Sequence, residues 1–135
     1  MIDHVSIPVR DLEASAAFFE RALAPLGLKR LVERRATVGF GSKYPEFWLN
    51  ARPDMQPVAA DTGVHVCLRA RSIEAVQEFH ARALDSGGGD DGAPGPRKGE
   101  MVAYYAAFIR DPDGNKIEVM TVPPQAAAVE YRFRA

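Results

Sequence analysis

The chain has 135 residues, enough for one domain with a buried core, and its 47% hydrophobic and 26% charged residues are those of an ordinary folded protein. Seventeen Lys and Arg nearly balance 18 Asp and Glu, a formal charge of -1, which gives no reason to expect nucleic acid or an anionic membrane as partner. No apolar run approaches a membrane span, Met1-Ile2-Asp3-His4 enters a strand-like pattern without a basic-then-apolar leader, and one cysteine can form no internal disulfide, so a cytoplasmic protein is the expectation.

In chain order, the first element is a strand in which Val5, Ile7 and Val9 form the apolar face and His4 and Ser6 the other. Asp11 then caps a helix that keeps Leu12, Ala16, Phe19 and Leu23 on one side, and Gly27 ends it. Residues 28–34 and 36–40 read as paired strands, and 46–50 as a third. Residues 52–62, with Pro53 and Pro57, read as a connection. A second alternating strand follows, with Val66, Leu68 and Ala70 on one face and His65 and Cys67 on the other. Ser72 caps a second helix whose apolar side takes Ile73, Val76, Phe79 or His80, and Leu84, and the Gly87-Gly88-Gly89 run ends it. Residues 86–99, rich in Gly, Asp and Pro, read as a flexible loop, a lid if it covers a site, with a short strand near 97–100. Residues 101–110 and 115–122 read as a hairpin about an Asp111-Pro112-Asp113-Gly114 turn, which on turn chemistry alone is a turn and nothing more. A tail of residues 124–135 closes the chain.

These elements repeat. Shifted by 61 positions, His4-Val5-Ser6-Ile7 meets His65-Val66-Cys67-Leu68, Arg10 meets Arg71, Phe18 meets Phe79, and Arg21-Ala22-Leu23 meets Arg82-Ala83-Leu84. Nine of the 20 positions from His4 to Leu23 are identical in this gapless alignment. Two amphipathic helices can share apolar spacing by coincidence, but coincidence does not pair the histidines. The chain is therefore one α+β domain over 1–135: module one about 1–51, connection 52–62, module two about 63–123, tail 124–135.

Strand parity places the chemistry. Ile117 and Val119 share the apolar face of the last strand, which puts Lys116, Glu118 and Met120 on the face that also carries His4 and His65. Two imidazoles and a carboxylate make a ligand set that leaves positions open on a divalent cation, with zinc, iron, nickel or manganese favoured over magnesium or calcium. Strand histidines also serve as hydrogen-bonded core or edge residues, so both readings stand. Trp48, Cys67, Tyr104 and Tyr105 are candidates to line a substrate pocket, with one of the adjacent tyrosines facing the site. Cys67 is a soft ligand, a reactive thiol or a small buried hydrophobe, and Arg97, Lys98 and Lys116 are candidates to attract an anion. His80 reads as a helix-face residue.

His4-Val5-Ser6-Ile7-Pro8-Val9-Arg10-Asp11-Leu12 with Ala17-Phe18-Phe19, Gly63-Val64-His65-Val66, and Phe108-Ile109-Arg110-Asp111-Pro112-Asp113-Gly114-Asn115-Lys116-Ile117-Glu118 resemble the vicinal oxygen chelate superfamily. That superfamily includes glyoxalase I, fosfomycin-resistance thiol transferases, extradiol dioxygenases and bleomycin-binding proteins. The resemblance implies a glyoxalase-like fold of paired βαβββ modules forming a curved mixed sheet with helices outside. It implies metal ligands at His4, His65 and Glu118, with Glu118 also catalytic, and a homodimer in which modules of different chains can pair. One position departs: pairing Phe47-Trp48-Leu49 with Ile117-Glu118-Val119 puts Trp48 where glyoxalases carry a second carboxylate. Without that carboxylate, proton transfer between neighbouring carbons lacks its base. The expectation is a metal-dependent lyase, transferase or dioxygenase acting on a small molecule through neighbouring oxygens. The alternatives are a metal-free dimer that sequesters an aromatic small molecule against Trp48, and a structural dimer with a decayed site.

Overall fold

Both helices begin where their caps stand, in a computed structural model that describes residues 1–124. Asp11 Oδ1 accepts from the Ala14 amide and Ser72 Oγ from the Ala75 amide, each at 3.1 Å, and these bonds start α1 (Leu12–Leu23) and α2 (Ile73–Asp85). β1 (Val5–Val9) leads into α1. A single 3-10 turn (Ala24–Leu26), β2 (Lys29–Glu33), β3 (Thr37–Gly41) and β4 (Phe47–Ala51) complete the first half. β5 (His65–Arg69), α2, β6 (Gly89–Lys98), β7 (Ala103–Arg110) and β8 (Lys116–Thr121) make the second, so both halves are βαβββ.

Each module has its own four-stranded mixed sheet, ordered β1-β4-β3-β2 and β5-β8-β7-β6. The first strand of each pairs in parallel with the last, which needs a crossover helix between them, and the other pairings are antiparallel. Ser6 lies opposite Trp48 in the first sheet and Cys67 opposite Glu118 in the second. Because Ser6 and Cys67 are repeat equivalents, Trp48 and Glu118 are too, as the sequence alignment expects. Phe18, Phe19, Phe40, Phe47, Phe79, Leu49, Ile109 and Ile117 are fully buried in the core that the helices and the apolar sheet faces enclose. Each such side chain contributes about 1.5–3 kcal/mol by leaving water, which is what commits the other sheet faces to the polar residues.

Three expectations change. Residues 86–99 do not form a loop or a lid: Gly89–Lys98 is a strand of 10 residues bonded to β7. It lies at the sheet edge, where prolines such as Pro94 and Pro96 are tolerated, and it is broken by register shifts around Gly92. On α2 the buried residues are Val76, Phe79 and Ala83, while Leu84 falls roughly 100° further round the helix and is exposed. His80 turns to β6, its Nε2 2.8 Å from Asp90 Oδ1.

The third concerns the 111–115 turn, which is also a clasp. Asp111 holds the turn by accepting from the amides of Asp113 and Asn115 and from Asn115 Nδ2. Gly114 takes φ 93°, and a Cβ there would come 2.9 Å from the Val58 carbonyl oxygen, so only glycine fits. Asp113 then reaches into module one, accepting from the Arg10 amide at 3.1 Å, Arg10 Nε at 2.8 Å and Ser15 Oγ at 3.3 Å. Asn115 Nδ2 donates to the Pro8 carbonyl at 2.9 Å. Among the described residues no helix is long and apolar enough to cross a membrane. The expected tail lies, apart from Pro124, outside the described residues.

Candidate metal centre and adjoining hollow

β8 packs Ile117 and Val119 into the core and so turns Glu118 to the helix-free face, where its side chain is nonetheless only 7% exposed. A buried carboxylate needs a partner. That partner comes from β5: His65 Nε2 lies 3.1 Å from Glu118 Oε1. The other ring nitrogen, Nδ1, lies 3.2 Å from the Gly63 carbonyl oxygen. An acceptor therefore stands at each nitrogen of His65, whereas a neutral imidazole can donate from only one. A neutral imidazole with its proton on Nε2 satisfies Glu118 as a hydrogen-bond donor, and the same two atoms are the ones a cation would take.

Module one presents its histidine in the same manner. His4 Nδ1 is 2.7 Å from Asp3 Oδ1, which leaves Nε2 free. The Tyr44 hydroxyl donates to the same carboxylate at 3.1 and 3.3 Å. The hydrogen bond from His4, and then that from Tyr44, hold the Asp3 carboxyl below the usual range. A partner fixing the far nitrogen is the arrangement that orients metal-binding histidines. His4 lines a hollow of about 450 Å³ together with Glu46, His65 and Cys67. It also borders a second hollow of about 440 Å³ over β4, with Ser6, Arg34, Thr37, Tyr44, Trp48 and Asn50. Among the described residues no three His, Cys, Asp or Glu side chains converge tightly enough to hold one ion. His65 and Glu118 stand together, and His4 shares a hollow with His65 without completing a three-ligand cluster among the described residues.

The His65–Glu118 separation is that of a hydrogen bond and equals the spacing of two ligands on one first-row divalent ion. Bonds of about 2.0–2.2 Å from nitrogen and oxygen put ligands in adjacent positions on one ion roughly 3 Å apart. The separation found is 3.1 Å.

Residues 1–119 match the Glyoxalase/Bleomycin resistance protein/Dioxygenase superfamily. The chain belongs to that superfamily. Among solved structures it is similar to a glyoxalase/bleomycin resistance protein from Albidiferax ferrireducens T118, at 33% identity and TM-score 0.80, over 90% of this chain and 98% of that one. A glyoxalase/bleomycin resistance protein/dioxygenase family enzyme from Burkholderia phytofirmans PsJN shares the fold at 18% identity and TM-score 0.68, over 90% of this chain and 98% of that one. So does the fosfomycin resistance protein FosX from Listeria monocytogenes, at 16% identity and TM-score 0.66, over 94% of this chain and 97% of that one. No curated protein matches the sequence significantly.

Within this superfamily fold the remaining candidates divide. Tyr104 faces the site, and burial, followed by the nearby Glu118 charge, pushes its hydroxyl up. Tyr105 is turned the other way, packed against the core, with its oxygen accepting from Gln77 Nε2 of α2 at 3.0 Å. Cys67 is exposed opposite Glu118 and so is not the small buried hydrophobe expected; loss of surrounding water at the thiol, then the carboxylate beside it, push it up to about 12. At neutral pH it is a thiol, not a ready nucleophile. Trp48 lines the second hollow with the Arg34 guanidinium 5.4 Å above its ring. Phe108, which the sequence reading passed over, meets the His65 ring edge-on at 5.9 Å, with Arg97 and Lys116 over its face. Its register opposite Glu118 follows from counting across the turn, so parity alone finds it. Asp3, Arg34 and Tyr44 sit outside the regular strands, where periodicity gives no direction.

Proposed function

We propose that the chain is a metal-dependent enzyme acting on a small molecule through neighbouring oxygens, with a divalent cation held by His65, Glu118 and His4. The observation that supports this reading is the His65 imidazole beside the buried Glu118 carboxylate on the helix-free face, with the Gly63 carbonyl at its far nitrogen. A cation between Nε2 and Glu118 would satisfy both groups. Bound there, the ion would polarise substrate oxygens as a Lewis acid. Asp3 orients His4, and Gly63 orients His65, so that both present Nε2. Tyr104, held protonated beside Glu118, is placed to donate to a substrate oxygen. With Trp48 at the position equivalent to Glu118, module one offers no second carboxylate there. The strand position that would hold the base for proton relay between adjacent carbons is thus empty of a carboxylate, while Glu46, two residues away, lines the hollow with His4 and His65.

Elemental analysis of the native protein for zinc, nickel, iron and manganese, beside His65→Ala and Glu118→Gln, tests the reading. Near-stoichiometric metal in the native protein that both variants lose is the expected result. Metal in neither, even after reconstitution, would sink it. A second reading, a metal-free binder, draws on the hollow that Trp48 lines apart from the His65–Glu118 pair. Under that reading, chelation would leave both fold and ligand affinity intact.

A further inference from the structure

We infer that the hollow over β4 is the recognition subsite for the anionic, flat end of the substrate: a small aromatic or conjugated carboxylate whose carboxylate is held by Arg34 and whose ring lies along the outer edge of the stacked Arg34–Trp48 pair. The inference rests on the metal reading for the reaction, not for the binding.

Charge assigns the ligand's sign. Arg30, four residues earlier, turns to α1 and lies among Glu13, Glu20 and Glu33, at 3.1, 3.4 and 2.9 Å. Among the described residues Arg34 has no carboxylate within ion-pair distance. Its guanidinium instead stacks over Trp48, an arrangement that leaves its N–H edge open to a carboxylate in a two-point contact. Module one carries an indole where module two carries Glu118, with the Arg34 guanidinium over it.

Shape assigns the flat frame. Gly39 lies opposite Trp48, and a Cβ there would come 3.0 Å from both the ring and Pro45, so the indole is seated on backbone with little room to turn. A Trp–Arg pair held in this way loses little entropy when a planar ligand packs along its edge. The hollow's 440 Å³ lies in the range that takes small ligands. Its polar wall carries the Ser6 hydroxyl and the Asn50 amide, which touch each other across β1 and β4.

Trp48 is the chain's single tryptophan, so its fluorescence reports on this hollow and no other. Benzoate, benzyl alcohol and acetate are titrated into native protein, into chelator-stripped protein and into Arg34→Gln, an exposed position whose change leaves the core untouched. Equilibrium dialysis of benzoate against Trp48→Phe and Trp48→Ala covers the loss of the fluorophore. We expect saturable benzoate binding that Arg34→Gln weakens about tenfold or more, the scale of a lost charge-assisted hydrogen-bond pair. Benzyl alcohol and acetate should each bind more weakly than benzoate, and Trp48→Ala more weakly than Trp48→Phe. Unchanged affinity in Arg34→Gln, equal binding of benzyl alcohol, or no saturable benzoate binding would overturn the inference. Loss of benzoate binding on stripping the metal would also overturn it, by placing the ligand at the ion. Retention in a protein that never held metal would defeat the metal reading and leave this one standing.

Discussion

The His65 imidazole and the Glu118 carboxylate are legible from the chain because strand parity is a binary choice, and their faces follow from the apolar residues on either side. What those side chains touch is another matter. Asp3 and Tyr44, which hold His4, and Gly63, which holds His65, act from outside the strands, where no period constrains direction. Asp111 shows the same gap in the turn. Its composition announces a tight bend, but not that the carboxyl would be only 4% exposed. Burial outweighs the hydrogen bonds it accepts and pushes its carboxyl up to about 6. A carboxyl raised in the fold favours the folded state while protonated, fully so below about pH 4, and that contribution drains away as pH rises through about 6. Through this group the native protein should lose stability between about pH 4 and 7, by roughly 3 kcal/mol from a shift of this size. Asp111→Asn cannot ionise and should flatten that part of the profile. Urea midpoints at the two ends of the range check it, and an unchanged slope in the variant would show that the group titrates as in water.

Strands with alternating Val, Ile and Leu, and helices with a cap in place, announce themselves, and β1, α1, β5, β7 and β8 are where the sequence puts them. β6 does not, because Gly, Asp and Pro describe a loop, and only its partner β7 makes it a strand. The repeat also misleads in one detail: Leu84 matches Leu23, yet α2 seats Ala83 inward instead. The 111–115 turn belongs to this scale as well, since it joins β7 to β8 and also fastens one module to the other. Asp113 is 4% exposed and accepts from three donors of module one. Asp113→Ala should therefore cost about 2–4 kcal/mol, because Ser15 and the Arg10 amide lose a charged acceptor in a part-buried place. Chemical denaturation of the variant measures it. A loss within about 0.5 kcal/mol, as for ordinary surface changes, would mean that the helices alone hold the modules together.

At the scale of the whole molecule, two equivalent modules carry unequal side chains on their helix-free faces, His65 and Glu118 on one and His4 and Trp48 on the other. The described residues of one chain do not gather a third ligand around the His65–Glu118 pair. Under the proposed function the third is expected from a second copy. His4→Ala and Glu118→Gln should then each bind no metal alone, and a co-refolded mixture should regain it, because one mixed site has His4 from one chain and His65 with Glu118 from the other. Failure of the mixture to regain metal, with both variants folded, would assign all three ligands to a single chain. The outer sheet edges bear on how such copies can meet. A strand laid along β6 would find no amide donor at Pro94 or Pro96 and would have to follow its register shifts. β2, at the far edge of the other sheet, offers Lys29, Arg30 and Glu33 in five residues. Neither border templates an added chain, so a second copy, as the proposed function requires, would meet the first through faces and inner margins, where contacts can close on themselves. A protein built this way can form a finite assembly while resisting the open-ended stacking that leads to fibrils.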